Sequence, residues 1–165
     1  MSSDNEIEPA IKPPYLGLLN AISIAERNAG RYLKAWADVT PDPDLRRALS
    51  LVAARETTHG NVFRQRIERL GFSVLDQDDD AELAERLRVL GDPARSDGEK
   101  VRSRRRDAAA EAAVDAFFAS LDDKVADESV DALTRDTLRW FVHEERDSRA
   151  LLRAAYTRVK EAARG

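Results

Sequence analysis

Arg55-Glu56-Thr57-Thr58-His59-Gly60 is the stretch of sequence that says most about the fold of this chain. Glu56 and His59 are three residues apart, so on a helix both side chains leave the same face. On either side of this pair, apolar residues recur along that face at steps of three or four: Leu45, Leu49, Val52, Phe63 and Ile67. A carboxylate and an imidazole therefore stand at positions where a buried Leu or Val is expected.

Two interpretations of this inward Glu–His pair are open. Burying ionisable side chains is costly unless something compensates them, and a metal ion is one such partner. A Glu-x-x-His pair that projects into a helical bundle is how di-metal carboxylate sites are built. A lone inward histidine is, however, more often a hydrogen-bonded core residue than a ligand. The choice depends on whether other helices place carboxylates at the same depth.

The composition indicates one all-α domain of ordinary size. The chain has 165 residues, of which 42% are apolar and 35% charged, with only seven Gly and six Pro. That profile is typical of helical globular proteins. The polar residues 1–12 are expected to form a flexible arm, and residues 13–165 the helical domain.

Several classes of protein and site are disfavoured. The chain contains no Cys, which excludes disulfides, thiolate metal sites and thiol nucleophiles. A net charge of −4 gives no general reason to expect binding to nucleic acid or to an acidic membrane. No apolar run approaches the ~18 residues of a membrane span, and the acidic N-terminus lacks a signal segment. We therefore expect a cytoplasmic protein that does not enter the membrane.

The first two long helices can be placed from turn signals. The first covers about residues 15–36, and the second begins at the Asp42-Pro43 pair, where Asp is a favoured N-cap and Pro a favoured first residue. The second helix continues to about Leu70, where Gly71 is a natural stop. Because the connection between them is short, the two helices should be antiparallel neighbours.

A long connector separates these helices from the second pair. Residues 72–98 contain a short amphipathic helix of their own, and they are long enough to cross the length of a bundle. A Ser96-x-x-Glu99 capping box is predicted to start the third long helix. The fourth spans roughly residues 130–163.

Each long helix carries an acidic residue at a core step near its middle. Glu26 interrupts the apolar seam of the first helix, and Glu111 precedes the seam of the third, each among small residues. On the fourth helix two neighbouring stripes compete for the core face. One contains Glu144 and Asp147, the other Glu145, so the sequence leaves the inward residue open.

A basic cluster opens the predicted third helix, with Lys100, Arg102 and residues 104–106. We favour a solvated face that pairs with the acidic connector. A patch for phosphate or nucleic acid is the alternative, but no aromatic residues interleave the charges, so nucleic-acid binding is not expected.

The acidic positions together resemble the metal ligands of the ferritin-like superfamily, which includes ferritins, rubrerythrins and related di-iron carboxylate proteins. The resemblance covers roughly residues 15–160, and its motifs are short. It implies an all-α, ferritin-like four-helix bundle, with a long crossover and its short helix between helices 2 and 3. It also implies two bound iron ions, with manganese as an alternative metal. The implied ligands are Glu26, Glu56, His59, Glu111 and Glu145, with Glu144 and Asp147 as additional or substitute ligands.

The fourth helix departs from the family pattern. After Glu145, Ser148 stands where the family has the His of its second Glu-x-x-His motif. A hydroxyl is a poor ligand for a transition metal compared with imidazole. The second ion could be bound by oxygen ligands such as Asp147, or only one ion could bind. The site could also be lost, with Arg55, Arg146 or Arg149 neutralising the remaining carboxylates.

Two functions follow from the resemblance. The first is a di-iron or iron/manganese oxidoreductase that acts on ferrous iron, peroxide or dioxygen. The second is a non-catalytic helical bundle that has lost part of its metal site and acts as a structural or partner-binding protein. In either case a homodimer or a higher homo-oligomer is expected.

Overall fold

The computed structural model describes residues 11–76, 81–104 and 108–164. These residues form six α-helices and no strand, in agreement with the predicted all-α class. The predicted arm, residues 1–12, lies almost entirely outside the described residues. The helices are α1 (Leu16–Val39), α2 (Pro43–Arg69), α3 (Ala81–Leu90), α4 (Asp97–Ser103), α5 (Ala108–Ala126) and α6 (Ala132–Ala162).

The ends of α2 follow directly from the local sequence. The side chain of Asp42 accepts hydrogen bonds from the backbone N–H groups of Asp44 and Leu45, at 2.8 and 3.2 Å. Pro43 occupies the first helical position, where its missing N–H costs nothing. At the other end, Gly71 has a φ of 88°, a left-handed conformation that glycine adopts without steric cost.

The predicted third long helix is two helices in the structure. The Ser96–Glu99 capping box forms as expected, but it starts the seven-residue helix α4, which ends at Ser103. Helix α5 begins at Ala108. Residues 105–107, which include part of the predicted basic cluster, lie outside the described residues.

Helices α1 and α2 form the most extensive pair, and α6 packs against α2 and α5. The α1–α2 pair is close because glycine stands at the crossing: a Cβ at Gly60 would lie 2.9 Å from the backbone N of Arg27. The hydroxyl of Ser23 donates to the carbonyl of Gly60 at 2.9 Å and links the two backbones at the same level. This crossing sets the spacing of the side chains on either side of it.

The connector after α2 follows helix α1 along its length. Near the start of α1, the side chain of Asn20 exchanges two hydrogen bonds with the backbone of Leu75. Near the end of α1, the indole N–H of Trp36 donates to Asp97 at 2.7 Å. No helix among the described residues is both long and apolar enough to cross a membrane.

Two apolar clusters fill the interior, with a polar layer between them. One cluster contains Leu19, Phe63 and Phe141, and the other contains Trp36 and Leu49. On α1, α2 and α6 alike, the residues between the two clusters in sequence include acidic ones. The core is therefore interrupted at one level on three helices, and that level is the candidate site.

Candidate metal centre

Four side chains from three helices converge in the polar layer. Glu26 comes from α1, Glu56 and His59 from α2, and Glu145 from α6. Each offers one ligand atom, and these atoms all lie within 4.8 Å of one another. Glu26, Glu56 and His59 are buried, with 9%, 5% and 0% of their surface exposed. We refer to these four residues as the carboxylate–histidine group.

The imidazole of His59 is held through both of its nitrogen atoms. Nδ1 lies 3.2 Å from Oε2 of Glu26 and 3.5 Å from Oε1 of Glu145. Nε2 lies 3.0 Å from Oε2 of Glu144. The rings of Trp140 and Phe141 pack edge-on against the imidazole, with centroids 4.9 and 5.1 Å away. The ring is thus fixed with Nδ1 towards the carboxylates of Glu26 and Glu145.

Burial raises the pKa of both Glu26 and Glu56, because removal from water disfavours the charged carboxylate. Their mutual hydrogen bond raises the pKa of Glu56 further and opposes the rise at Glu26. Burial alone would lower the pKa of His59, but hydrogen bonds to Glu145 and Glu144 outweigh that effect and raise it. Glu26, Glu56 and His59 therefore bind protons more tightly than the same residues do in water. Positive charge in this layer is favourable, whether as protons or as a cation.

The chemistry of the donors fits a divalent transition metal. Three carboxylates and one imidazole suit iron, manganese or zinc. Oε1 of Glu145 is buried, and its contact with Nδ1 of His59, at 3.5 Å, is too long for a well-formed hydrogen bond. Ligand atoms on opposite sides of one ion are about 4.2 Å apart, from bonds of ~2.1 Å. The 4.8 Å spread of the four donor atoms is close to that value.

Glu111, predicted as the ligand from the third helix, is not brought into the group. Its side chain is 51% exposed on α5 and lies 3.9 Å from a guanidinium nitrogen of Arg149. Ser148 is buried, and its hydroxyl lies 3.4 Å from Nη1 of Arg55. The same Nη1 pairs with Asp147 at 2.6 Å. Arg149 and Arg55 thus contact Glu111 and Ser148, the two residues that stand where the ferritin-like resemblance implies metal ligands.

The two acidic residues that competed for the inward position on α6 have different surroundings. The side chain of Glu145 is 12% exposed and belongs to the group. That of Glu144 is 34% exposed, and its Oε2 lies 3.0 Å from Nε2, the outer nitrogen of His59. Asp147, the other substitute ligand, is half exposed and pairs with Arg55. The buried residues of α6 follow the stripe that contains Leu138 and Phe141.

Sequence periodicity did not predict the cavity that adjoins the group or the burial of the basic residues near it. A cavity of about 840 Å³ lies beside Glu26, Glu56 and Glu145. Its lining includes Tyr32 and Arg104, which carry no common motif. Lys100 and the Nη1 atom of Arg104 are buried, although the basic cluster was expected to be a solvated face. The burial of these basic residues could have been predicted from Val101, an apolar residue that lies between charged residues in a capped helix.

Comparisons with known proteins add no family and no relative. No family model matches the chain, no characterised protein matches it, and no solved structure matches its fold. The function proposed below therefore depends on the residues and their geometry.

Proposed function

We propose that this chain is a ferritin-like metal-binding protein that holds one iron or manganese ion and acts as an oxidoreductase. The observation that carries the proposal is the carboxylate–histidine group itself: four donor atoms from three helices, within 4.8 Å of one another, in a buried layer. Uncompensated, that layer would be costly. A divalent cation would compensate it.

The path of the chain supports a ferritin-like arrangement with a long crossover. The connector contacts α1 first at Asn20 and then at Trp36, so it returns along the bundle before α5 begins. The start of α6 contacts the start of α1, where Tyr15 donates to Asp131 at 2.7 Å. Near the other end of both helices, Trp36 stacks on Tyr156 with ring centroids 5.4 Å apart. On this path α5 runs in the direction of α2, as one long crossover requires.

A single ion is favoured over the pair that the family resemblance implied. Two-metal sites place their ions about 3.5–4 Å apart and need bridging and terminal ligands for both. Here Glu111 is half exposed beside Arg149, and Ser148 contacts Arg55. On that side the guanidinium groups of Arg55 and Arg149 supply the positive charge that a second ion would otherwise supply.

Each residue of the site has a distinct task under this proposal. Glu26, Glu56 and Glu145 would bind the ion as carboxylates, and His59 would bind it through Nδ1. Glu144 would accept a hydrogen bond from the Nε2–H of His59 and so fix the tautomer that leaves Nδ1 free. When bound, an iron or manganese ion supplies redox chemistry and coordination positions open to peroxide or dioxygen. The adjoining cavity would give small molecules access to the group.

A metal-free structural role is the second candidate, and one observation favours it. His59 lies between acidic residues, and burial raises the pKa of Glu26 and of Glu56, which favours their neutral carboxyl form. With a shared proton on the glutamates and a charged imidazole, most of the negative charge of this network is compensated without a cation. The bundle would then act through a partner or a second copy of itself.

Metal content separates the two candidates. The full chain is purified without chelator, loaded with ferrous iron under nitrogen, desalted and measured by elemental analysis. We expect about one ion per chain, lost in His59→Ala and retained in His143→Ala, which removes the exposed histidine of α6. Two ions per chain would support the di-iron hypothesis instead. No bound ion in the wild-type protein would leave the structural role.

A further inference from the structure

The cavity beside the carboxylate–histidine group has two chemically different ends. Glu26, Glu56 and Glu145 line one end. Tyr32 lies six residues after Glu26 on α1, about 9 Å further along at 1.5 Å per residue. Tyr156 lies eleven residues after Glu145 on α6, roughly 16 Å further along. The second end is therefore distant from the proposed metal ligands. It is lined by phenol and basic side chains, and by the carboxylate of Glu85, which pairs with Arg88 at 2.6 Å.

Arg104 is the central residue of this second end. Its guanidinium carbon lies 5.0 Å from the centroid of the Tyr32 ring, a cation–π contact that fixes the head group. The phenols of Tyr32 and Tyr156 interact with the guanidinium, but its Nη1 atom is buried and has no hydrogen-bond acceptor among the described residues. A guanidinium is always charged and carries five N–H donors, so a buried donor without an acceptor is costly.

No carboxylate within the described ranges forms an ion pair with Arg104, Arg153 or Lys160, although all three line the cavity. The other arginines of the lining are paired: Arg86 with Glu82, and Arg149 with Glu111 and Asp115. This end of the cavity thus has an excess of positive charge. It is matched to an anion that comes from outside the chain.

The walls between the two ends are mainly apolar. They are formed by Leu33 of α1, Val101 of α4 and Leu152 of α6, with Phe118 of α5. A volume of about 840 Å³ is in the range of small-molecule sites, which are concave and mostly apolar with a few polar groups that fix orientation. A ligand of this site would have an apolar body and one charged end.

We propose that the cavity binds a medium-chain organic carboxylate, with its carboxylate on Arg104 and its apolar chain directed towards the carboxylate–histidine group. A guanidinium fork matches a carboxylate with two parallel hydrogen bonds. The ~9 Å between the levels of Glu26 and Tyr32 corresponds to a chain on the order of seven or eight carbons. The inference that this carboxylate is a substrate rests on the proposed metal centre. The inference that the cavity binds it does not.

The test is calorimetric titration of the full chain with octanoate and, separately, with octanol. We expect octanoate to bind with a stoichiometry of one and at least tenfold more tightly than octanol, because only the carboxylate pairs with Arg104. Equal binding of the two compounds, or no binding of octanoate, would overturn the proposal.

Substitutions locate the anion. Arg104→Gln should weaken octanoate roughly tenfold or more and leave octanol binding unchanged. Arg104→Lys keeps the charge but not the two parallel donors of the guanidinium. Its affinity for octanoate should lie between those of the wild type and Arg104→Gln. Arg47→Gln, which removes an exposed arginine of α2 outside the cavity, is the control and should bind like the wild type. An Arg104→Gln protein with native helicity and wild-type octanoate affinity would contradict the proposal.

The metal proposal and the anion proposal fail separately. Removal of bound metal with chelator does not touch the Arg104 end, so the metal-free protein should bind octanoate as the metal-loaded protein does. Octanoate binding by a protein that takes up no metal would retain the carboxylate site and reject the metal centre. Metal uptake without octanoate binding would do the reverse.

Discussion

Nε2 of His59 lies 3.0 Å from Oε2 of Glu144, whereas Nδ1 of the same ring faces Glu26 and Glu145. Two consecutive glutamates of α6 thus reach one imidazole at different atoms. A metal-bound histidine usually donates its other ring N–H to a carboxylate or carbonyl, which fixes its tautomer and raises its basicity. In the proposed metal site, Glu144 would therefore orient the imidazole and Glu145 would be a ligand.

Substitution of the two glutamates should therefore give different results. Glu144→Gln should keep one metal ion per chain but weaken its binding about 10–100-fold, as for other partners of metal-bound histidines. Glu145→Gln removes a proposed ligand and should lower the bound metal itself. The measurement is titration with Mn²⁺ in competition with a chelator of known affinity. Similar affinities and stoichiometries in the two variants would refute this division of roles.

The metal-free protein should lose stability as the pH rises. In the folded state the pKa values of Glu26, Glu56 and His59 are all raised, so between about pH 5 and 8 the folded chain holds more protons than the unfolded chain. Stability from these groups is full below the unfolded glutamate pKa of 4.5 and declines above it. Urea unfolding in the presence of chelator, at pH 5 and pH 8, measures the decline.

Glu56→Gln is the matched variant for this pH dependence. It removes one of the titrating groups but keeps the shape and a hydrogen-bonding side chain, so its stability should fall less between pH 5 and 8. Bound metal should have the opposite effect, since its ligands must lose protons and its stabilisation grows with pH. Identical pH profiles for wild type and Glu56→Gln without metal would exclude a protonated glutamate pair.

The parts of the fold and site that sequence predicted are those set by local chemistry or by a strong helical period. The Asp42 cap and Gly71 fixed the ends of α2 because their preferences depend on a few neighbouring atoms. Glu26 and Glu56 were found because each interrupts an otherwise apolar seam. His59 was found because it follows Glu56 on the same face.

The parts that sequence could not fix depend on tertiary context. Helix α5 is rich in Ala and has apolar residues around much of its circumference, so its period does not determine whether Glu111 faces inward. Arg55 and Arg149 reach the level of Ser148 and Glu111 through long, flexible side chains, and spacing along a helix does not predict that reach. Residues 104–107, between α4 and α5, include neither Gly nor Pro, so no helix-breaking residue marks the boundary between the two helices.

The close α1–α2 crossing should make Gly60 intolerant of a side chain. A Cβ there would meet backbone atoms of α1 at 2.9 and 3.0 Å, and backbone cannot move as a side chain does. We expect Gly60→Ala to destabilise the protein by about 1–3 kcal/mol, the usual cost of overpacking. Gly17→Ala is the control: nothing lies within 4 Å of its Cβ, and Ala favours the helix by up to ~1 kcal/mol. Denaturant unfolding of both variants measures the contrast, and stabilisation by Gly60→Ala would show that the helices are not packed this closely.

Asp131 at the start of α6 should contribute more than an ordinary helix cap. Its carboxylate accepts from the backbone of Thr134 at 2.9 Å, from the hydroxyl of Tyr15 at 2.7 Å and from Arg66 at 2.8 Å. Asp131→Ala should therefore destabilise more than Asp42→Ala, because the carboxylate of Asp42 caps α2 through backbone N–H groups and has no arginine or tyrosine partner among the described residues. A cap alone contributes about 1 kcal/mol.

The pH dependence of this contribution has the opposite sign to that of the glutamate pair. Burial would raise the pKa of Asp131, but hydrogen bonds from Thr134, Tyr15 and Arg66 outweigh it and lower the pKa below its ordinary value of 3.8. The stabilisation is thus present above pH 3.8 and is lost as the pH falls through the lowered pKa of the folded state. The stability difference between wild type and Asp131→Ala should be constant from pH 5 to 8 and shrink in stronger acid, as urea unfolding across that range would measure. If the stability difference is unchanged at the lowest pH, the negative charge of Asp131 does not contribute to the stability of the protein.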